Sequence, residues 1–495
     1  MTLQMPDPEA CYRALSSRDP RFDGWVYAGI SSTGIYCRLS CPARTPRREN
    51  CHWYPTAAAA QAAGFRACRR CQPDAIPGSP MWDLNEDITA RAMRMINDGV
   101  VDREGIGGLA ARLGYSTRQV QRVLQDHAGA GPLALARTRR AHTARLLLQT
   151  TRLPVSSIAF QAGFSSVRQF NDTIREVYGQ TPTALRGRRG TVAVAEAGGL
   201  VLRLPVRQPF DLAGQLAFMA TRTVPGLESG GPGGFARTVR LPYGHGIVAV
   251  EPRGGGLRAR VALADWRDLS TLVARVRAWF DLDADPLAVD EALGAALGAE
   301  APAVAEAIAA PGVRLPGTPD PDELAVRCLV GQQVSLAGAV TVTGRLVADH
   351  GDPLEPDLAA TATAWGYRLN RVFPGMDTLA GLDTDTLPMP RARGRALVGL
   401  ADALATGRVS LAAGVDRQEA RAALESLPGI GAWTSGYIAL RALGDPDILL
   451  DTDLVIRRTL DRLGLTRTED CAPWRSYLTV HLWRLAATPT STETR

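Results

Sequence analysis

The chain has 495 residues, 45% of them apolar and 21% charged. That is ordinary globular composition: it excludes a disordered tail protein and implies about three domains, each long enough to bury a core. No run approaches the roughly 18 uninterrupted apolar residues of a membrane helix, and the N-terminus MTLQMPDPEACYRALSSRDP has no apolar h-region, so a cytoplasmic location and no membrane partner are expected. The net charge of +6 is unevenly placed, since residues 1–190 carry 26 arginines against 15 acidic residues and residues 191–495 carry 30 against 35. The basic first part predicts a polyanionic partner. No lysine occurs anywhere in the chain.

Six of the eight cysteines fall in the first 71 residues, a turn-rich and basic stretch. Clustering of this kind in a cytoplasmic chain favours metal over disulfides. Cys37-x3-Cys41 and Cys68-x2-Cys71, separated by 26 residues, suit one tetrahedral zinc ion per chain, with sulfurs at about 2.3 Å. On spacing alone a structural zinc site is the commoner role. Cys11 and Cys51 lie outside the pattern and are expected to be packing or bystander thiols.

IPGSP at 76–80 is a breaker cluster and a natural linker. From Trp82 to about Leu185 apolar residues recur at helical spacing, and two helix-turn-helix patterns repeat near 106–126 and 155–177. In the first, Leu109, Ala110 and Leu113 mark one helix, Gly114-Tyr115-Ser116 the break, and Val120 and Leu124 the second helix. Ser116 is a plausible N-cap. In the second, Gly163-Phe164-Ser165 is the turn, with Phe170 and Ile174 on the buried face. The expected exposed residues of the two recognition helices are Thr117, Arg118, Gln119 and Arg122, then Ser166, Arg168, Gln169 and Asn171. Arginine reads guanine, and glutamine or asparagine reads adenine, in the major groove.

RGRRG at 186–190 reads as a hinge, after which the character changes. VAVAEA, GLVLRLPV, FARTVRL, GIVAVEP and LRARVAL are short runs between Gly/Pro clusters and predict strands over 192–263. From Asp268 the helical pattern returns and continues to about residue 487, followed by the polar tail TPTSTETR. Within that half, LPGIG at 427–431 stands between two predicted helices as a helix-hairpin-helix. Gly429 and Gly431 would let the backbone approach closely, and the amides that follow suit a DNA phosphate. About 20 residues later ILLDTDLVIRRTL supplies carboxylates.

These segments resemble three known families. GIYCRLSCPAR, REN and AGFRACRRCQPD closely resemble the N-terminal domain of the Ada family of alkylation-repair regulators, over about residues 5–78. That resemblance implies that Cys37 accepts a methyl group from a DNA methylphosphotriester, with Cys41, Cys68 and Cys71 as co-ligands. It also implies DNA contacts at Thr33, Arg44, Arg66 and Arg70, whose bland reading is a solvated basic face. FNDTIREVYGQTP is similar to the signature of AraC-family regulators, over about 84–186.

RCLVGQQVSLAGA, LPGIGAWTSGYIALR and APWRSYLTVHLW resemble the AlkA subfamily of 3-methyladenine DNA glycosylases, within the helix-hairpin-helix superfamily, over about 191–487. The resemblance implies Asp453 as the catalytic carboxylate; Asp451 is the rival, because D-T-D also aligns with the D-T-H motif of other branches. Thr452 or either aspartate could equally be a helix N-cap. Trp433, Tyr437 and Trp483 are implied as a base cage. Trp433 and Tyr437 are four apart on one helix face, a spacing more often found in cores, and stacked aromatics favour a cationic N-alkylpurine. Gln332 fits the family's base pocket. Gln333 stands where the family places an apolar wedge.

The expected fold is therefore multidomain. It comprises a small zinc-bound α+β domain (1–78), an all-α double helix-turn-helix (82–186), a β-rich domain (191–270), a mostly α helix-hairpin-helix glycosylase domain (271–487) and a polar tail (488–495). The expected function is an Ada–AlkA fusion. It would accept methyl groups on a zinc-bound cysteine and so activate transcription, and it would excise alkylated bases as a monofunctional glycosylase. Without lysine there is no amine to attack C1′, so strand cleavage is not expected. A P-C-H-R motif, which marks O6-alkylguanine methyltransferases, is also missing. Expected partners are alkylated and promoter duplex DNA and RNA polymerase, met by a monomer at the nucleoid. The alternative is a glycosylase whose N-terminal modules only target DNA and do not sense methylation; a third reading is a regulator with a decayed glycosylase.

Overall fold

A computed structural model describes residues 7–17, 26–39, 41, 43–54, 59–60, 63–68, 71, 84–150, 153–187, 199–204, 206–231, 233–253, 256–298 and 312–487. The linker at 76–80, most of the hinge at 186–190, the VAVAEA run and the polar tail lie outside these. The chain divides into two compact units, residues 1–90 with 126–128, and residues 91–125 with 129–495.

In the first unit a four-stranded sheet has the order β3-β1-β2-β4, built from β1 (Tyr27–Ile30), β2 (Ile35–Arg38), β3 (Cys51–Tyr54) and β4 (Arg66–Ala67). β1 pairs antiparallel with β2 and β3, and β4 joins β2 in parallel. Gly34, at φ +64, closes the β1–β2 turn, a left-handed conformation that favours glycine. Helix α1 (Pro8–Ser17) buries Cys11, Ala14 and Leu15 in a core shared with Val26, Ala28, Leu39 and Cys51. Cys11 and Cys51 are thus packing thiols, as their position outside the paired pattern predicts.

In the second unit, the helix-turn-helix pair is built from α2 (Leu84–Asn97), which begins in the first unit, α3 (Val100–Leu113), α4 (Thr117–Ala128), α5 (Pro132–Thr150), α6 (Val155–Gln161), α7 (Val167–Tyr178) and α8 (Pro182–Gly187). Ser116 and Ser166 cap α4 and α7, accepting from the Gln119 and Gln169 amides at 3.2 Å each. Leu109, Ala110, Leu113, Val120, Leu124, Phe170 and Ile174 are all buried. The long helix α5 crosses to the second motif, where Arg137 donates from Nε to Thr173 at 3.0 Å and from Nη1 to Glu176 at 3.1 Å.

Strands β5 (Leu200–Leu204), β6 (Glu228–Gly231), β7 (Gly234–Leu241), β8 (Gly244–Arg253) and β9 (Gly256–Leu263) form an antiparallel sheet of order β5-β9-β8-β7-β6. Period-2 alternation sends Val248 and Val250 of β8 to one core and Ile247 and Ala249 to another. Both faces are covered, so this strand reads as a continuous apolar run. The strand-rich reading of 192–263 missed two elements: the glycine-rich edge strand β6, and α9 (Leu212–Ala220), capped by Asp211, whose carboxylate accepts from the Gly214 amide at 2.9 Å.

Helices α10 (Leu269–Trp279), α11 (Pro286–Leu297), α12 (Pro321–Val330), α13 (Leu336–His350), α14 (Pro356–Ala364), α15 (Met376–Ala380), α16 (Arg391–Ala405), α17 (Arg417–Glu425), α18 (Ala432–Ala442), α19 (Leu454–Leu463) and α20 (Arg475–Ala487) make up the rest. A buried ionic quartet ties β6 and β7 to α12. Arg327 reaches Glu228 at 2.9 Å and Glu323 at 2.8 Å, Arg237 reaches Glu228 at 3.1 Å, and Arg237 also pairs with Glu323. Burial opposes ionisation of Glu228, but Arg327 and Arg237 hold its carboxyl below the ordinary value.

The capping geometry leads to a stability expectation. Ser116→Ala and Ser166→Ala should each lower stability by about 1 kcal/mol, whereas Ser116→Asp should be nearly neutral, because only a side-chain oxygen is needed at the cap. Urea denaturation followed by helical circular dichroism measures this.

Candidate metal centre and base pocket

Cys37 lies in β2, and Cys41, Cys68 and Cys71 approach it from the loops that follow β2 and β4. Their four sulfurs lie within 4.8 Å of one another, and all four residues are buried. The Cys71 sulfur accepts from the Arg38 amide at 3.5 Å. Without a cation, the neighbouring Cys41 and Cys71 sulfurs and burial hold the Cys37 thiol far above its usual range. Four thiolates cannot share so small a space uncompensated, and a divalent cation at their centre reverses the sign of that interaction. Donor type, count and crowding all fit tetrahedral zinc.

Around this centre Thr33 and Arg66 are both exposed at the start of the β2–β4 pairing, where Ile35 meets Arg66, and Arg44 is exposed beyond Cys41. Arg70 lies outside the described residues. On the recognition helices Arg118, Arg122, Arg168 and Gln169 are exposed, and Gln119 and Asn171 are half-buried. Gln169 also accepts from the Ser165 hydroxyl at 3.0 Å, and Ser166 is engaged as the cap.

The hairpin glycines differ from one another. Gly429 has φ +86, and a Cβ there would meet the Ala396 Cβ at 2.8 Å. Gly431 is extended and open on its Cβ side, and it stands at the N-cap of α18. Ser435 of α18 donates to Glu425 of α17 at 2.6 Å and closes the hairpin.

A cavity of about 700 Å³ lies beside the hairpin, lined among others by Phe218, Arg222, Trp433, Tyr437, Asp453 and Trp483. Trp433 and Tyr437 stack at 5.3 Å and 22°, and Trp483 tilts against Tyr437 at 5.9 Å. Asp453 is the N-cap of α19: Oδ1 accepts from the Val455 amide at 2.9 Å and the Ile456 amide at 3.1 Å, and Oδ2 accepts from Trp433 Nε1 at 2.9 Å. Asp451 is exposed and does not line the cavity.

Gln332 does not line the cavity either. Its amide donates to the Gly429 carbonyl at 3.0 Å and to the Thr434 hydroxyl at 2.8 Å, so it joins the α12–α13 loop to the hairpin. Gln333 is exposed at the tip of that loop with φ +55, a rare conformation for a residue with a Cβ. Sequence reasoning missed Phe218 and Arg222, which α9 and the residues after it bring to the cavity from more than 200 positions away. The only local signal was the Asp211 cap.

The two sites define a DNA-directed protein that joins a four-cysteine metal centre to a helix-hairpin-helix base pocket. Family models agree: the metal binding domain of Ada matches residues 10–74, a helix-turn-helix domain residues 109–188, and the AlkA N-terminal domain residues 201–320. A Mycobacterium tuberculosis protein described as a probable bifunctional transcriptional activator/DNA repair enzyme AlkA is 49% identical over 488 residues, which is 96% of each chain. DNA-3-methyladenine glycosylase 2 of Escherichia coli is 31% identical over 288 residues, 56% of this chain and 94% of that one. The E. coli bifunctional transcriptional activator/DNA repair enzyme Ada is 31% identical over 186 residues, 38% of this chain and 51% of that one. The chain belongs to the family of bifunctional Ada/AlkA transcriptional activators and DNA repair enzymes.

The centre sets a metal prediction. Purified protein should carry one zinc per chain by elemental analysis, and chelation should unfold the region around residues 1–75, because binding and folding are coupled in small metal domains. A metal-free preparation in which this region keeps its proteolytic resistance would contradict the assignment.

Proposed function

We propose that this protein is a methyl-responsive transcriptional activator and an alkylbase DNA glycosylase in one chain. The observation that carries the glycosylase half is the Asp453 carboxylate, fixed at a helix start beside three aromatic rings. The four-sulfur cluster carries the other half.

Zinc held by Cys37, Cys41, Cys68 and Cys71 would keep the sulfurs as thiolates. Cys37 is the acceptor by motif position, since burial does not separate the four. Its sulfur bonds to the methyl carbon of a methylphosphotriester as the carbon–oxygen bond breaks, and an ordinary phosphodiester anion leaves. Four thiolates around one divalent cation sum to −2, and methylation reduces this to −1. Repulsion from DNA phosphates falls accordingly, and DNA binding tightens. Thr33, Arg44, Arg66 and Arg70 are proposed as backbone contacts near this site. Arg118, Gln119, Arg122, Arg168, Gln169 and Asn171 are proposed to read the operator. The activator meets RNA polymerase at the promoter, acting as a monomer at the nucleoid.

In the second half the flipped base enters the cage of Trp433, Tyr437 and Trp483, while Gln333 fills the gap it leaves in the duplex. Gly429 and Gly431 present the hairpin backbone to a phosphate. Asp453 faces the sugar, where positive charge develops as the C1′–N bond breaks. Water adds at C1′ and the product is an abasic site. Gln332 is a positioning residue that holds the wedge loop to the hairpin.

Two substitutions separate the halves. Cys37→Ser should abolish methyl uptake, read by intact mass, and methyl-dependent tightening on operator DNA, while base release continues; a stoichiometric methyl on another N-terminal cysteine would show that Cys37 is not the acceptor. Asp453→Asn should lower single-turnover excision by about 100- to 1,000-fold or more and spare binding to abasic-analogue DNA, because asparagine still caps α19. Asp451→Asn should do much less. Inactivity of the 451 variant with an active 453 variant would move the catalytic role by two residues.

A further inference from the structure

A cluster of cationic side chains lies beside the hairpin and outside the base pocket. Helix α16 carries Arg391, Arg393 and Arg395 within its opening residues RARGR. Arg391 and Arg395 are exposed and Arg393 is half-buried. Three local terms oppose this arrangement. Cations in a first turn meet the positive end of the helix dipole. Arg391 and Arg395 are like charges four apart on one face. The helix start also lacks a side-chain cap, because Pro390 stands at the N-cap.

The surrounding carboxylates do not offset these charges. Asp385 pairs with Arg391 at 2.9 Å, and Asp383 accepts from the Asp385 amide at 3.0 Å. Glu425, at the end of α17, accepts from Ser435 at 2.6 Å and pairs with Arg421 at 3.4 Å. Among the described residues Asp385 alone comes within 4.0 Å of a guanidinium of the cluster, and it answers Arg391 only.

Packing fixes where the cluster stands. Ala396 and Leu397 of α16 share a buried core with Ile430 of the hairpin turn. A Cβ at Gly429 would meet the Ala396 Cβ at 2.8 Å, so the turn rests directly on the helix. Arg393 is three residues before Ala396 and shares its face, one turn or about 5.4 Å nearer the helix start. Successive phosphates of a DNA strand are about 3.4 Å apart along the axis. A strand held at the hairpin therefore has further phosphates within a few ångströms of this face.

We propose that Arg393 and Arg395 form a second phosphate-binding patch that flanks the hairpin and holds the DNA backbone next to the phosphate on the hairpin amides. Guanidinium groups match phosphate oxygens in geometry as well as charge, and binding relieves the self-repulsion of the helix start. Neither residue lines the base cavity, so the patch governs grip on DNA and not the bond-breaking step. This inference rests on the reading of the hairpin as the DNA-gripping element of a glycosylase.

The test uses the full-length protein in excess over a short duplex carrying one 7-methylguanine, and reads the base-release rate against protein concentration at several salt concentrations. The double variant Arg393→Gln/Arg395→Gln should raise the half-saturating concentration about tenfold and leave the plateau rate within about twofold of wild type. The slope of log half-saturation against log salt should fall by about two. The double lysine variant keeps both charges and should stay within about threefold of wild type. Arg203→Gln/Arg253→Gln removes the same charge from exposed positions on β5 and β8 and should change neither quantity. An unchanged half-saturation and slope in the 393/395 variant overturns the inference. So does an equal effect from the 203/253 variant, which marks net charge alone, or a fall in plateau without a shift in half-saturation, which marks a structural role. Binding of an abasic-analogue duplex, read by fluorescence anisotropy, should lose the same slope and needs no base release. Wild type that releases no base, with that binding slope still lowered by the 393/395 substitutions, defeats the glycosylase reading and leaves the patch standing.

Discussion

Asp453 is held by three hydrogen bonds, from the Val455 and Ile456 amides and from the Trp433 indole. The base site depends on this arrangement. The two amides fix the start of α19, where the helix dipole favours a negative charge. The indole bond locks the ring of Trp433, which stacks on Tyr437, which in turn meets Trp483. One carboxylate thus ties the start of α19 to the aromatic wall of the pocket. Trp433 stands two residues after Gly431, so the proposed phosphate contact and the proposed base cage share one short stretch of chain.

Behind that wall the buried quartet of Glu228, Arg237, Glu323 and Arg327 joins the sheet to α12, the helix whose C-terminal end leads into the Gln332–Gln333 loop. Buried ion pairs add little net stability when compared with apolar packing, but they fix geometry because removing one partner strands the others. An all-arginine chain suits such a network. The guanidinium fork satisfies two carboxylates at once, and a lysine ammonium in the same place would not match that geometry. The helix-turn-helix region and the sheet also share a continuous apolar core, from Leu147 and Phe170 to Val248 and Trp279, which places them in one compact unit.

The two sites are built from different local chemistry. At the metal centre crowded sulfurs create negative potential, which a divalent cation only partly offsets, and which leaves a nucleophile near neutral pH. At the base pocket one carboxylate, Asp453, is oriented by N–H donors alone. Each site sets its own field from residues a few ångströms away, so each can be altered without the other.

Much of this was legible in the sequence because the signals were local. Paired cysteines at short spacing, a serine before the first recognition helix, Pro-Gly in the hairpin and aromatics four apart on one helix each state a geometry within a few residues. Which of Asp451, Thr452 and Asp453 caps α19 was not legible from residue type, because all three can cap, and the Val455 and Ile456 amides bonded to Asp453 decide it. The helix α9 was hidden among strands: its apolar run carries no helical periodicity of polar residues, and the tertiary core around it decides its form. Phe218 and Arg222 reach the pocket by chain topology alone. Arg327 of α12 donates to the Arg222 carbonyl at 2.7 Å, which links this segment to the quartet. The residues proposed to perform chemistry were thus written locally, and the rest of the cavity lining was decided by packing between segments far apart in the chain.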